Sequence, residues 1–191
     1  TEILRLSVPE HASVKRAIAW AQGHTDWVAK QCAVAPDRVS LGDGDVFTLE
    51  GRNVTIRREA GQPRSPRLDG DVLMLGGPAE SVGPRILRWL KLRARETLSA
   101  ETLEIAGREN LSVSSVSIGD PRSRWGSCAA NGAIRYSWRL ILAPEFVRRA
   151  TVAHEVAHLL HMDHSAQFHA AHARLLGEDP APARAWLRRN G

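Results

Sequence analysis

The segment RRATVAHEVAHLLHMDHSAQFHAAH, residues 148–172, contains the pattern HExxH at residues 154–158. On an α-helix, residues four positions apart lie about 40° apart around the axis and about 6 Å apart along it. The imidazoles of His154 and His158 therefore share one face and can bind a single metal ion. Glu155 lies about 100° round from His154, where it can accept a proton from a water molecule at the metal.

An alternative interpretation is that the two histidines are ordinary hydrogen-bonded helix residues and that Glu155 is a surface acid in an ion pair. The neighbours of the motif argue against it, because they are mostly apolar: Val147, Ala150, Val152, Val156, Ala157, Leu159 and Leu160. Unpaired imidazoles and a carboxylate are costly to bury on such a helix. We therefore interpret the motif as a metal site.

A catalytic zinc ion usually has three protein ligands and leaves a fourth position to water. The candidates for the third ligand are His161, His164, His169 and His172. On a continuous helix His164 would lie about 9 Å beyond His158 and on another side, so the chain must turn. Asp163 and Ser165 are capping residues that suit a turn and a new helix. His164 is then the favoured ligand, with His161 and His169 as the main alternatives.

The rest of the chain predicts a mixture of helices and short strands. Apolar periodicity predicts helices over the stripe from Val14 to Cys32, from Pro84 through Leu98, and over 144–160, 165–176 and 181–189. Alternation predicts strands at 3–8, 46–49, 53–57, 72–75, 111–118 and 133–142, the fifth with a bulge. We interpret residues 1–77 as a β-rich N-terminal lobe with one helix, and residues 78–191 as the lobe that carries the chemistry.

Composition limits the class of protein. The chain has 191 residues, of which 43% are apolar and 25% charged, as in a globular protein with a sizeable core. It contains no apolar run long enough to span a membrane and no signal-like N-terminus, so we expect no membrane contact. Cys32 and Cys128 are too few for a disulfide framework. These features together predict a cytoplasmic protein.

The basic residues are compatible with nucleic-acid binding but do not favour it. The net charge is +5, yet the arginines are scattered in short pairs and no block of five basic residues occurs. Short basic pairs on helices usually face water.

The stretch RWGSC, residues 124–128, contains further candidates for the site. Arg124 could stabilise an oxyanion on a substrate carbonyl or could pair with an acid of the fold. Tyr136 could hydrogen-bond a tetrahedral intermediate or could be structural. An edge strand formed by 111–118 or 133–137 could bind an extended substrate through its backbone. Residues 126–128 are expected to form a tight loop near the metal.

Three motifs follow one another along the chain: RWGSC (124–128), HEVAH (154–158) and HSAQF (164–168). In this order they resemble the motifs of the YgjP-like metallopeptidases, a family related to the SprT, Spartan and WLM zinc proteases. The resemblance extends to LSVP at 6–9, DWVAKQ at 26–31, the hairpin at 43–56 and the helix at 85–94. Two positions depart from the family pattern. Asp163 stands where Asn is frequent, and His169 stands where Trp is common.

The resemblance implies an α+β fold with a minimal zincin-like metallopeptidase core over 78–191. It implies Zn²⁺ held by His154, His158 and His164, with Glu155 as general base, and a peptide or protein substrate. Two other functions remain open at this point. One is a metal-dependent hydrolase of a non-peptide amide or ester, and the other is a nucleic-acid-associated protein-processing module.

Overall fold

The computed structural model describes residues 8–27, 41–121 and 123–190. The chain forms two compact units, Thr1–Val39 and Ser40–Gly191. In the first unit, helix α1 covers Val14–Gln22, and the Ser13 hydroxyl caps it by accepting a hydrogen bond from the Arg16 amide. This confirms the first part of the predicted helix. The rest of that helix, beyond residue 27, and almost all of the predicted strand at 3–8 lie outside the described residues.

The described part of the second unit contains two small sheets and four helices. Its strands are β1 (Val46–Leu49), β2 (Arg52–Arg58), β3 (Arg67–Asp69), β4 (Val72–Leu75), β5 (Ser115–Gly119), β6 (Gly126–Cys128) and β7 (Ala133–Ser137). Its helices are α2 (Val82–Gly107), α3 (Glu145–Ala157), α4 (Ala166–Leu176) and α5 (Ala181–Asn190). Short 3₁₀-helices cover Ala79–Ser81 and Trp138–Ile141. The predicted α+β class is confirmed.

The first sheet has the strand order β1-β2-β4-β3. Strands β1 and β2 form the predicted antiparallel hairpin, whose turn residues Glu50 and Gly51 both have positive φ angles. Strand β2 runs parallel to β4, and the buried side chains of Val54 and Ile56 alternate with more exposed residues. The sequence prediction missed β3, which lies in a segment rich in Gly, Pro and Arg.

The second sheet has the order β5-β7-β6, with β7 in the centre. Of the two segments predicted as alternatives for an edge strand, 111–118 overlaps β5, which is an edge, whereas 133–137 forms the central strand; β6 is the other edge. The strand predicted over 111–118 begins only at Ser115, and the one predicted over 133–142 ends at Ser137. Ser137 ends β7 because its hydroxyl accepts a hydrogen bond from the Arg139 amide at 3.3 Å and starts a 3₁₀-helix.

The helices agree more closely with the predictions. Helix α2 starts near the predicted residue but continues to Gly107, and it buries a regular stripe that includes Ile86, Leu90, Ala94 and Leu98. Helix α3 ends at Ala157, three residues earlier than predicted. Helices α4 and α5 match the predictions within one residue, and Gly177 ends α4 in a left-handed conformation.

One hydrophobic core joins these elements. It contains Leu73 and Leu75, which precede residue 77, and Ile86 and Leu90, which follow it, so apolar contacts continue across the predicted lobe boundary. The division into lobes at residue 77 stays a prediction. A buried ion pair also fixes α3 against α2. The Arg148 guanidinium donates from Nε and Nη2 to the Glu101 carboxylate at 2.9–3.1 Å. Such a bidentate ion pair has a defined geometry and so fixes the position of the helix that contains HExxH.

Candidate metal centre

A tight turn separates α3 from α4 and brings residues of the two helices together. The amides of Leu160 and His161 both donate to the Ala157 carbonyl, so the helical pattern stops just after His158. The Asp163 carboxylate then accepts a hydrogen bond from the Ser165 amide at 3.2 Å. Ser165 in turn caps α4 by accepting from the Phe168 amide. These contacts confirm the predicted turn and cap.

Three histidines converge at this turn. The ligand atoms of His154, His158 and His164 all lie within 4.8 Å of one another, and this is the one such cluster in the described parts of the chain. The Nε2 atoms of His154 and His164 are 3.2 Å apart. The Nδ1–H group of His158 donates to the His161 carbonyl at 3.0 Å, which leaves Nε2 of His158 with a free lone pair.

The ring of Phe168 contacts the rings of all three clustered histidines. Its ring centroid lies 4.8 Å from that of His154, 4.5 Å from that of His158 and 4.7 Å from that of His164. The Phe168 side chain is fully buried. The contacts hold all three imidazoles around one point, and they explain why a Phe follows four residues after His164.

Two histidines of this cluster, His154 and His158, favour the neutral state. Burial lowers the pKa of the His154 imidazole to about 3, and the positive charge that neighbouring imidazoles would carry acts in the same direction. Burial also lowers the pKa of His158. Neutral imidazole is the form that binds metal ions, so these two rings are ready to act as ligands at neutral pH.

Glu155 lies beside this cluster and is almost completely buried. Burial raises the pKa of its carboxyl group to about 7, against the opposite effect of the positive charge on Arg124. Its carboxylate packs directly on Gly126 of β6, where an added Cβ atom would lie only 2.5 Å from Oε1. Gly126 therefore leaves the space that the carboxylate occupies. Sequence reasoning predicted residues 126–128 as a loop, but they form a strand paired with β7.

A sequence model of the YgjP-like metallopeptidase domain matches residues 1–190. The chain belongs to the YgjP-like metallopeptidase family. No curated protein and no solved structure gives a significant match. Family membership confirms the resemblance and makes a metal ion and a peptide or protein substrate the expected partners of this YgjP-like protein. Across the described residues, no helix has the length and apolar character needed to cross a membrane.

The other histidines of the YgjP-like domain have different contacts. His161 supplies its carbonyl to His158, and the exposed ring of His169 lies 6.4 Å from that of His164, centroid to centroid. His172 is buried and its Nε2–H donates to the Ala150 carbonyl at 2.9 Å, which joins α4 to α3. Helical periodicity could not indicate this last hydrogen bond, because it joins residues of two helices.

The two predicted substrate contacts lie in different environments in the YgjP-like domain. Arg124 is exposed and forms no hydrogen bond or ion pair with the described residues, although its charge acts on Glu155. Tyr136 is fully buried in the core, and its hydroxyl lies 3.0 Å from the Thr102 hydroxyl. Burial also raises the pKa of Tyr136. Arg124 is thus an exposed cation whose charge acts on Glu155, whereas Tyr136 holds β7 against α2.

Proposed function

We propose that the protein is a zinc-dependent peptidase whose metal ion is held by His154, His158 and His164. The observation that carries this proposal is the convergence of three imidazoles whose ligand atoms lie within 4.8 Å of one another. The chemistry of the donors fits zinc, which prefers nitrogen ligands over the oxygen ligands of magnesium and calcium. The 3.2 Å between two Nε2 atoms is also close to the roughly 3.3 Å expected for tetrahedral ligands about 2.0–2.1 Å from zinc.

The proposed reaction depends on Glu155. When bound, zinc polarises a carbonyl group and lowers the pKa of a water molecule to about 7. The Glu155 carboxylate accepts the proton of the attacking water and then donates it to the leaving amine. Burial raises the pKa of this carboxyl group in the metal-free site, which makes the carboxylate a better proton acceptor than an exposed one.

The proposed substrate position is beside β6. This strand is an edge of its sheet and contacts α3, so an extended peptide paired with its backbone would lie next to Glu155. We assign the stabilisation of the developing oxyanion to Arg124, which is exposed. We do not assign it to Tyr136, because the hydroxyl of that residue is buried and already has a partner in Thr102.

Metal analysis tests the proposed function most directly. Protein purified without chelators is expected to contain about one equivalent of zinc by elemental mass spectrometry. The three imidazoles form one site, and three protein ligands with an open fourth position are typical of catalytic zinc. Removal of the metal is expected to lower the unfolding temperature, since the ion joins α3 to the segment before α4. Magnesium or calcium in place of zinc, or no metal at all, contradicts the proposal.

Cleavage of a panel of denatured proteins tests the substrate class. A peptidase gives new peptide termini that mass spectrometry detects, and a chelator abolishes them. A hydrolase of non-peptide amides or esters gives none, even when it is fully loaded with metal.

A substitution at Gly126 tests the place of Glu155 in the reaction. Gly126→Ala puts a Cβ atom less than 3.0 Å from Oε1, Cγ and Cδ of Glu155 and must displace the carboxylate. We expect peptide hydrolysis to fall by roughly tenfold or more, because general-base catalysis contributes about 10²–10⁴-fold and depends on position. Metal content is expected to stay unchanged, since the three atoms nearest to the added Cβ belong to Glu155 and not to a histidine.

Gly107→Ala is the matched control, because an added Cβ atom at that glycine meets nothing within 4 Å. Its activity should equal that of the parent. Equal activity of the Gly126 variant would show that hydrolysis does not depend on the position of Glu155.

A further inference from the structure

The three-stranded sheet has a second edge, which lies away from the histidine cluster. Strand β5 is at the opposite end of the sheet from β6 and packs beside α2. A groove of about 350 Å³ lies between α2 and the end of β5. Its lining residues are Lys91, Leu92, Arg95, Ile118, Gly119 and Asp120. None of the three clustered histidines lines it, so this groove is a separate surface.

Two exposed cations of α2 line this groove. Lys91 and Arg95 are exposed one helical turn apart on α2, and neither forms an ion pair or hydrogen bond within the described ranges. The one acid of the lining, Asp120, already forms an ion pair with Arg139. The groove therefore offers at least two cations to an acidic ligand and presents no free carboxylate that would repel it.

A third cation lies beyond the groove, on the face of the sheet opposite α2. The Arg135 guanidinium, on β7, rests against Gly119 so closely that an added Cβ atom there would be 2.5 Å from both Nε and Nη2. Only glycine allows this approach. Arg135 is exposed and likewise has no ion pair among the residues that the structure describes. Its position extends the positive charge from α2 across the edge of the sheet.

The edge of β5 adds backbone recognition to this charge. Strand β5 pairs in parallel with β7 over Ser115–Gly119, and the described chain places no strand on its other side. An edge strand presents amide and carbonyl groups that an extended peptide can pair with. Leu92, which is 55% exposed and lies between the two cations in sequence, offers an apolar contact to the aliphatic parts of the peptide side chains on the α2 side.

We propose that this groove binds an acidic extended segment of a partner protein, which adds to the sheet as a strand beside β5. Its side chains alternate between the two faces of the sheet, so carboxylates on the α2 side contact Lys91 and Arg95, and those on the opposite side contact Arg135. The free strand edge and the exposed leucine favour a polypeptide over a nucleic acid, because a phosphate backbone can use the cations but cannot continue a β-sheet. The proposal is independent of the proposed peptidase activity, since no metal or catalytic residue takes part.

Binding of a short dye-labelled peptide that alternates Glu and Val tests the charge. Fluorescence anisotropy with the full chain is expected to show saturable binding. The double variant Lys91→Glu/Arg95→Glu is expected to bind roughly tenfold more weakly or worse, because two attractions become repulsions. Arg188→Glu/Arg189→Glu makes the same change of charge on exposed residues of α5 and should bind like the parent. No binding to the parent, or an equal loss in both double variants, overturns the proposal.

Two further probes test the added strand and the class of partner. The same peptide with N-methyl groups at alternate residues keeps its charge but cannot pair with an edge strand, so we expect roughly tenfold weaker binding. Equal binding of the methylated peptide overturns strand addition. Single-stranded DNA of similar length should compete poorly. If it displaces the peptide at lower concentrations than unlabelled peptide does, the groove is a nucleic-acid surface and the proposal is wrong.

Discussion

The variant Glu155→Gln is expected to keep its metal and to lose roughly a hundredfold or more of its peptide hydrolysis. Glutamine has nearly the same shape as glutamate but cannot accept the proton of the attacking water. The three histidines are unchanged, and Gly126 leaves the same space for the amide as for the carboxylate. Removal of a buried carboxylate whose pKa is raised by burial should not destabilise the fold. Rates of peptide cleavage and elemental analysis of the same samples measure both effects.

Glu145→Gln is a suitable control for this variant. Glu145 lies on the same helix, α3, but in its first turn and exposed to solvent. The substitution makes the same chemical change at about 15 Å along the axis from Glu155. It should leave hydrolysis unchanged. If Glu155→Gln cleaves as fast as the parent, Glu155 is not the general base and the proposed reaction fails, whatever the metal content.

Local features of the sequence predicted much of the site. Helical spacing places His154 and His158 on one face, and this requires only the geometry of α3. The turn after His158 was also predictable, because Asp163 and Ser165 bond to amides two and three residues further along the chain. Interactions of this range depend on residue type and spacing alone, so a sequence reveals them.

Features that depend on distant pairing could not be predicted in the same way. The order β5-β7-β6 decides which strand borders Glu155, yet β6 has only three residues and no visible alternation. The contact between Gly126 and Glu155 joins residues far apart in sequence. The end of β7 depends on the Ser137 hydroxyl, which caps a 3₁₀-helix. That helix interrupts an apolar run whose pattern predicts a strand. Tertiary structure determines the first two features, and a local hydrogen bond at Ser137 determines the third.

The variant His164→Ala is expected to lower zinc affinity by more than about a hundredfold. Loss of an outer hydrogen-bond partner of a metal ligand already costs about 10- to 100-fold, and a lost ligand should cost more. His164 is the one member of the cluster that follows the turn. Its removal leaves only two ligands, His154 and His158, at the end of one helix. Titration of the metal-free protein with zinc against a competing chelator measures the change.

His161→Ala and His169→Ala are the matched controls, because each removes one nearby imidazole outside the cluster. The His161 substitution keeps the backbone carbonyl that orients His158, so the second ligand should stay in place. The His169 ring is exposed, and its centroid lies 6.4 Å from that of His164. It is therefore near the site but is not one of the three clustered histidines. Both variants should bind zinc within about threefold of the parent. If either loses zinc while His164→Ala keeps it, the third ligand is a different histidine, and the turn must rearrange when the metal binds.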